Sequence, residues 1–179
     1  PYKAFQKLPF LYSIHTVNQD NSSCQHNDHL FSPESDFRYQ FACELIAHLN
    51  PENKIVVFDS TLEKQVITEL ATIYPKLKTK LNKIKMALLD IAPLFVNYHI
   101  ILPGMNGKAS LKAILPCIKT SLSYSELSVQ SGFDVVQAYK QLLYNTQSAS
   151  PEFESTLRQY CRLDTLSIIE IINYLKSIS

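Results

Sequence analysis

Lys54-Ile55-Val56-Val57-Phe58 is the segment that most restricts what this chain can fold into. An unbroken apolar run rich in β-branched residues, set off by a turn, suits a strand buried on both faces, the environment of parallel pairing. The run passes almost directly into a helix expected from Ser60 to about Tyr74, which Pro75 closes. Upstream, Phe10 to Val17 reads as a strand, Asn18 to Asn27 as a polar turn and His29-Leu30-Phe31 as a short strand, the two strands pairing as a hairpin. Ser32-Pro33-Glu34 is expected to open a helix, with Ser as N-cap and Pro at its first position. That helix carries an apolar stripe of Phe37, Phe41, Leu45, Ile46 and Leu49 and ends at Asn50-Pro51.

Downstream, Lys76 to Lys85 reads as a lysine-rich helical turn or two, and Met86 to Leu89 as another short strand. Pro93, Pro103, Gly104, Gly107 and Pro116 divide the next stretch into loops and short helices. A helix follows from about Asp134 to Tyr144, and a long one from about Pro151 to Lys176. This order predicts an α/β fold, a mixed sheet with helices on its faces.

With 179 residues, 46% of them hydrophobic and 18% charged, the chain is expected to fold as one globular domain over residues 1–179. Its formal charge of +1 creates no large field and neither requires nor excludes a nucleic-acid partner. Cys24, Cys43, Cys117 and Cys161 form no Cys-x-x-Cys and read as reduced thiols of a cytoplasmic protein. No stretch approaches the roughly 18 apolar residues of a membrane span. The opening Pro1-Tyr2-Lys3 lacks a Met and reads as the start of a fragment or a processed product.

Two acids lie on apolar stripes. In the last helix Leu157, Tyr160, Cys161, Asp164, Ile168, Ile171, Ile172 and Leu175 share one face, so Asp164 sits among core positions with Tyr160 one turn away. A buried carboxylate without a partner costs several kcal/mol or becomes protonated. By pattern alone, Asp164 either lies at the stripe's margin and meets water or an arginine, or faces a cation. Glu63 follows Ser60 at capping-box spacing, which favours a helix cap. The end of a buried strand is also where α/β folds commonly place their sites.

Val57-Phe58-Asp59-Ser60-Thr61-Leu62-Glu63-Lys64 resembles the second motif of the DEDD-type 3′–5′ exonucleases of the ribonuclease H-like superfamily. Tyr160-Cys161-Arg162-Leu163-Asp164-Thr165 resembles the third, in its Tyr-x-x-x-Asp form. Taken whole, the chain resembles an uncharacterised bacterial family of domains of unknown function in that superfamily. Pro9-Phe10 with Ser13-x-His15, Asp90-x-x-Pro93-Leu94-Phe95, Ser110-Leu111-Lys112-Ala113-x-Leu115-Pro116 and Leu122-Ser123-Tyr124 carry that match. It implies a ribonuclease H-like mixed sheet of five strands, and metal-dependent hydrolysis of single-stranded DNA or RNA.

Within the resemblance, Glu63 and Asp164 would hold Mg²⁺ or Mn²⁺, and Tyr160 would orient or help deprotonate the attacking water. In this family the domain commonly follows a PD-(D/E)XK-type nuclease module, which implies such a neighbour. The family's first motif, an Asp-x-Glu on the central strand, belongs just ahead of Pro1, and none occurs among the first residues. The chain is therefore expected to lack that strand, to leave the strand after Lys54 without a neighbour on one side, and to be inactive alone. Glu63 and Asp164 are expected to share one site. The alternative function is a non-catalytic binding or scaffolding module beside a nuclease.

Among other candidates, Lys76, Lys78, Lys80, Lys83 and Lys85 read as a solvated helical face before a guide for a phosphate backbone. Ser110 and Lys112, with Lys108, are candidate contacts to substrate phosphates, against ordinary surface solvation. Cys24-x-His26-x-Asp28-His29 has metal-ligand residue types but no zinc spacing, and His15 reads as a hydrogen-bonded core histidine. No nucleophile-elbow motif supports a Ser/His/Asp triad.

Overall fold

A computed structural model describes residues 8–18, 23–32, 36–127, 129, 131–144 and 151–178. It is a mixed α/β structure with one antiparallel and one parallel two-stranded sheet among the described residues. The chain divides into two compact units, Pro1–Phe10 with Phe31–Ile91, and Leu11–Leu30 with Ala92–Ser179.

In the first unit, α1 (Arg38–His48) leads to β3 (Ile55–Val57), α2 (Thr61–Ile73), a 3-10 turn (Pro75–Leu77), α3 (Lys78–Ala87) and β4 (Leu88–Asp90). The strands pair in parallel, Ile55 with Leu88, Val56 with Leu89 and Val57 with Asp90, and two helices make the crossover. The helices pack on one another through Phe41, Leu45, Ile67, Leu70, Leu81 and Ile84. Phe31 stacks on Phe37 at 5.0 Å and meets Phe41 at 5.3 Å.

α1 begins five residues later than the Ser32 cap suggests, with Phe37 at the N-cap position. Phe37 is drawn into the core, and Asp36 accepts the Arg38 backbone N–H at 3.2 Å and bonds its guanidinium, so the local start is made there. Residues 33–35 lie outside the described set. β3 is half-buried rather than enclosed on both faces, because among the described residues it pairs with β4 alone. The strand after Lys54 has one described neighbour, and the described residues form no five-stranded sheet.

In the second unit, β1 (Leu11–Val17) and β2 (Cys24–Leu30) form a hairpin. α4 (Ala92–Val96), α5 (Leu111–Ile118), α6 (Gly132–Tyr144) and α7 (Pro151–Ile178) follow, with α7 packed on the hairpin, α5 and α6. Leu157, Ile171, Ile114 and Leu115 are fully buried. β2 takes in Cys24 to Asn27, which the sequence assigns to a turn, because partners outside the strand satisfy polar side chains such as that of His26. All four cysteines are free thiols. Among the described residues no helix is long and apolar enough to cross a membrane.

Phe41→Ala should cost about 3–5 kcal/mol, since the cavity lies within three packed helices. Met86→Ala, at a position 84% exposed, should stay within about 0.5 kcal/mol. Urea unfolding of the two variants measures both.

Candidate active site

Each unit holds one of the two candidate acids, and each is built by its own elements. In the first unit the chain leaves β3 through Asp59, whose φ of 63° is left-handed, a region Asp tolerates better than most residues. Two carboxylates hold this turn. Asp90, at the end of β4, accepts the Asp59 N–H at 3.0 Å and the Ser60 N–H at 2.8 Å. Asp59 accepts the Thr61 N–H at 3.2 Å and its hydroxyl at 2.6 Å.

Asp90 therefore takes the donor that a capping box would assign to Glu63, and Ser60 makes no side-chain cap. This corrects the capping reading of Ser60-x-x-Glu63. Glu63 is left with a buried Oε2 that has no hydrogen-bond partner among the described residues. Burial raises its pKa, its own backbone N–H lowers it, and the nearby Asp59 and Asp90 carboxylates raise it further.

In the second unit Asp164 projects from α7 toward Tyr124, which lies on a 3-10 turn spanning Tyr124–Glu126. The Tyr124 hydroxyl donates to Asp164 Oδ1 at 2.7 Å and lies 3.2 Å from Ser167 Oγ, which itself donates to the Leu163 carbonyl at 2.6 Å. Asp164 thus accepts from a buried phenol. Burial pushes its pKa up to about 6, against the Tyr124 hydrogen bond and the charge of Lys112, which lower it. Lys112 Nζ lies over the rings of Tyr124 at 5.5 Å and Tyr160 at 5.3 Å, and the two rings meet edge to face at 5.8 Å.

The second unit therefore brings Tyr160, Asp164 and Lys112 together. Burial and Asp164 both raise the Tyr160 pKa. A phenol so placed stays protonated at neutral pH and suits orienting a ligand rather than removing its proton. Ser110, the exposed N-cap residue of α5, makes no side-chain cap and stands two residues from Lys112.

Sequence reasoning assigned no role to Asp90 or Tyr124. Asp90 has a local signal, an acid closing a short apolar strand; the Tyr124 bond to Asp164, 40 residues away, has none.

The hairpin face toward α7 is polar. Ser13 Oγ bonds His26 Nε2 at 2.9 Å and Thr165 Oγ1 at 3.0 Å, and His15 Nδ1 bonds Thr165 Oγ1 at 2.7 Å. Burial first, then His26 and Arg162, bring the His15 pKa down to about 4, so the ring is neutral at ordinary pH. Ser13, His26 and Asp28 have the residue types of a nucleophilic relay. His26 and Asp28 are 3.8 Å apart, however, beyond hydrogen-bond reach, and Arg158 holds Asp28. The network is a clasp that fixes α7 beside Asp164.

Among the described residues no three His, Cys, Asp or Glu side chains converge as ligands of one metal ion. The unpartnered Glu63 oxygen suits a cation, but the described carboxylates do not complete a metal site.

Asp164 should govern a pH-dependent part of stability. Its folded pKa lies above its ordinary 3.8, so its favourable contribution is full below that value and is lost as pH rises through about 6. The loss is on the order of 3 kcal/mol at most. Asp164→Asn should remove it, so the variant gains on the unmodified chain between pH 4.5 and 7.5. Urea unfolding at both values tests this, and an unchanged difference would refute it.

No curated protein and no solved structure matches the chain. The family model of a domain of unknown function, DUF2779, matches residues 1–110, which takes in Asp59, Glu63, Asp90 and Ser110. Covering 110 of the 179 residues, the match shows that the chain belongs to the DUF2779 family.

Proposed function

We propose that this domain takes part in metal-dependent, 3′–5′ exonuclease-like hydrolysis of nucleic-acid phosphodiesters, on a ribonuclease H-like fold. Glu63 carries the proposal. Its capping role is filled by Asp90, and it keeps a buried carboxylate oxygen without a partner where a parallel strand turns into a helix. That position matches the second exonuclease motif, and Asp164 with Tyr160 matches the third. The direction of hydrolysis rests on the motif resemblance.

In this reading Glu63 and Asp164 would each offer a carboxylate to Mg²⁺ or Mn²⁺, and an Asp-x-Glu of the family's first motif would supply the others. The bound ions would supply charge neutralisation and activation of water at the phosphate. Tyr160 donates a hydrogen bond that orients the reacting group, and Lys112 offers a positive charge to a phosphate oxygen. Hydrolysis joins the water oxygen to phosphorus and breaks the phosphorus bond to the 3′ oxygen, which takes up a proton.

A second reading has a specific observation in its favour. Because no three ligands converge among the described residues, the domain also suits a non-catalytic module that positions nucleic acid for a neighbouring nuclease.

The 179-residue chain is expected to leave end-labelled single-stranded DNA and RNA intact with Mg²⁺ or Mn²⁺. A form carrying an Asp-x-Glu strand ahead of Pro1, with any neighbouring nuclease module inactivated, should shorten them from the 3′ end. Glu63→Gln and Asp164→Asn should each slow that reaction by about 100-fold or more, the upper end of what changes merely around a metal produce. A folded extended form that binds single strands but never shortens them supports the scaffold. Cleavage by the short chain would place the active site elsewhere.

A further inference from the structure

The lysine-rich segment of the first unit is more than a wet helix face. Five of the chain's 17 basic side chains, and none of its 16 acidic ones, fall between Leu70 and Leu89. Lys76, Lys78, Lys80 and Lys83 are exposed, and among the described residues none of them has an ion-pair or hydrogen-bond partner. Lys85 is engaged, donating to Thr68 Oγ1 at 3.2 Å.

Local electrostatics oppose this arrangement. Lys78 and Lys80 sit in the first turn of α3, which holds no acid, at the end of the helix dipole that disfavours cations. Lys76 and Lys80, and Lys80 and Lys83, are like charges at the spacings where helix neighbours repel. Among the described residues no acid pairs with Lys76, Lys78, Lys80 or Lys83, whereas an anionic partner would offset these terms.

Geometry narrows the partner. Lys76, in the 3-10 turn that leads into α3, is followed at i+4 and i+7 by Lys80 and Lys83 on the helix, so positive charge recurs about once per turn along the segment. The apolar side chains Leu81 and Ile84 are already buried in the packing of α3. The helix therefore has no free apolar face of the kind a membrane-surface helix needs. At the N-terminal end of the stripe, two residues before Lys76, stands Tyr74, whose ring meets that of Tyr39 edge to face at 5.3 Å. Tyr39 is 55% exposed. A basic track with an aromatic ring at its end is how proteins hold single-stranded nucleic acid without reading its sequence.

We infer that Lys76, Lys80 and Lys83 form a backbone track for single-stranded nucleic acid, with Tyr39, held by Tyr74, as a stacking platform for a base. The inference rests on the proposed function for its class of partner only, and it stands if the domain binds without cleaving.

The test is fluorescence anisotropy of the 179-residue chain with a labelled oligothymidylate, in EDTA, between 50 and 200 mM salt, about the range over which phosphate contacts are read out. Replacing Lys76, Lys80 and Lys83 together with Gln should reduce the slope of log affinity against log salt by about 2, since each phosphate contact on a single strand contributes about 0.7. Affinity at the lowest salt should fall at least about tenfold. The corresponding triple Arg variant should restore binding, and circular dichroism shows whether each variant is folded. A triple Gln variant at Lys119, Lys140 and Lys176 changes net charge equally and should lose far less. Tyr39→Ala should weaken binding about fivefold or more without changing the slope.

A form extended by an Asp-x-Glu strand that binds oligothymidylate but never shortens it, with Mg²⁺ or Mn²⁺ present, refutes the proposed hydrolysis alone and leaves the track standing. A Lys76/Lys80/Lys83 variant no weaker than the control triple overturns the track and leaves the hydrolysis standing. An unmodified chain that ignores oligothymidylate but binds polyglutamate or anionic vesicles also overturns it.

Discussion

The Asp90 carboxylate, bonded to the backbone N–H groups of Asp59 and Ser60, is the contact on which the first unit's candidate site depends. It ties the end of β4 to the turn that follows β3 and holds the left-handed Asp59 in place. It also satisfies a donor at the start of α2 that the helix cannot satisfy itself. Glu63 is freed by that contact. Charged hydrogen bonds of this kind are among the stronger polar contacts in proteins, which suits a brace that must resist the strain of the turn.

The second unit holds its acid differently. Asp164 keeps one strong bond, from Tyr124, and is otherwise enclosed by the packing of α7. The Tyr124 proton is committed to it while Asp164 is ionised, and the Ser167 proton is committed to Leu163. Around this pair, Lys112 supplies positive charge without a direct bond, through its place over two aromatic rings. The hairpin clasp of Ser13, His15 and Thr165 then fixes the helix at the residue following Asp164. Both acids are thus held with raised pKa values, a condition common at functional sites and one that a bound cation would reverse.

Much of this was legible in the sequence because periodicity reports local structure. The run at Ile55–Val57, the helix to Ile73, the strand ending at Asp90 and the long helix from Pro151 all follow from apolar spacing, Pro and turns. Asp164 lies on the apolar stripe visible in the sequence and is partly buried. What the sequence conceals is non-local. His26 looks like a turn residue because its partner lies 13 positions away, and Glu63 looks like a cap because Asp90 lies 30 positions from Ser60. Phe37 displaced the expected helix start for a similar reason, since its stacking on Phe31 outweighs a favourable N-cap residue. The lysines of α3 are visible in the sequence, but that Lys78, Lys80 and Lys83 have no partner among the described residues is not.

The most direct test of this arrangement is the titration of the Glu63 side-chain carbon by NMR in the 179-residue chain without metal. A Glu63 that is buried and unpartnered, with Asp90 bonding the turn, titrates above its ordinary 4.5. A midpoint at or below that value would mean that Glu63 accepts the Ser60 N–H or another donor, and that it caps α2 instead of being held for a cation.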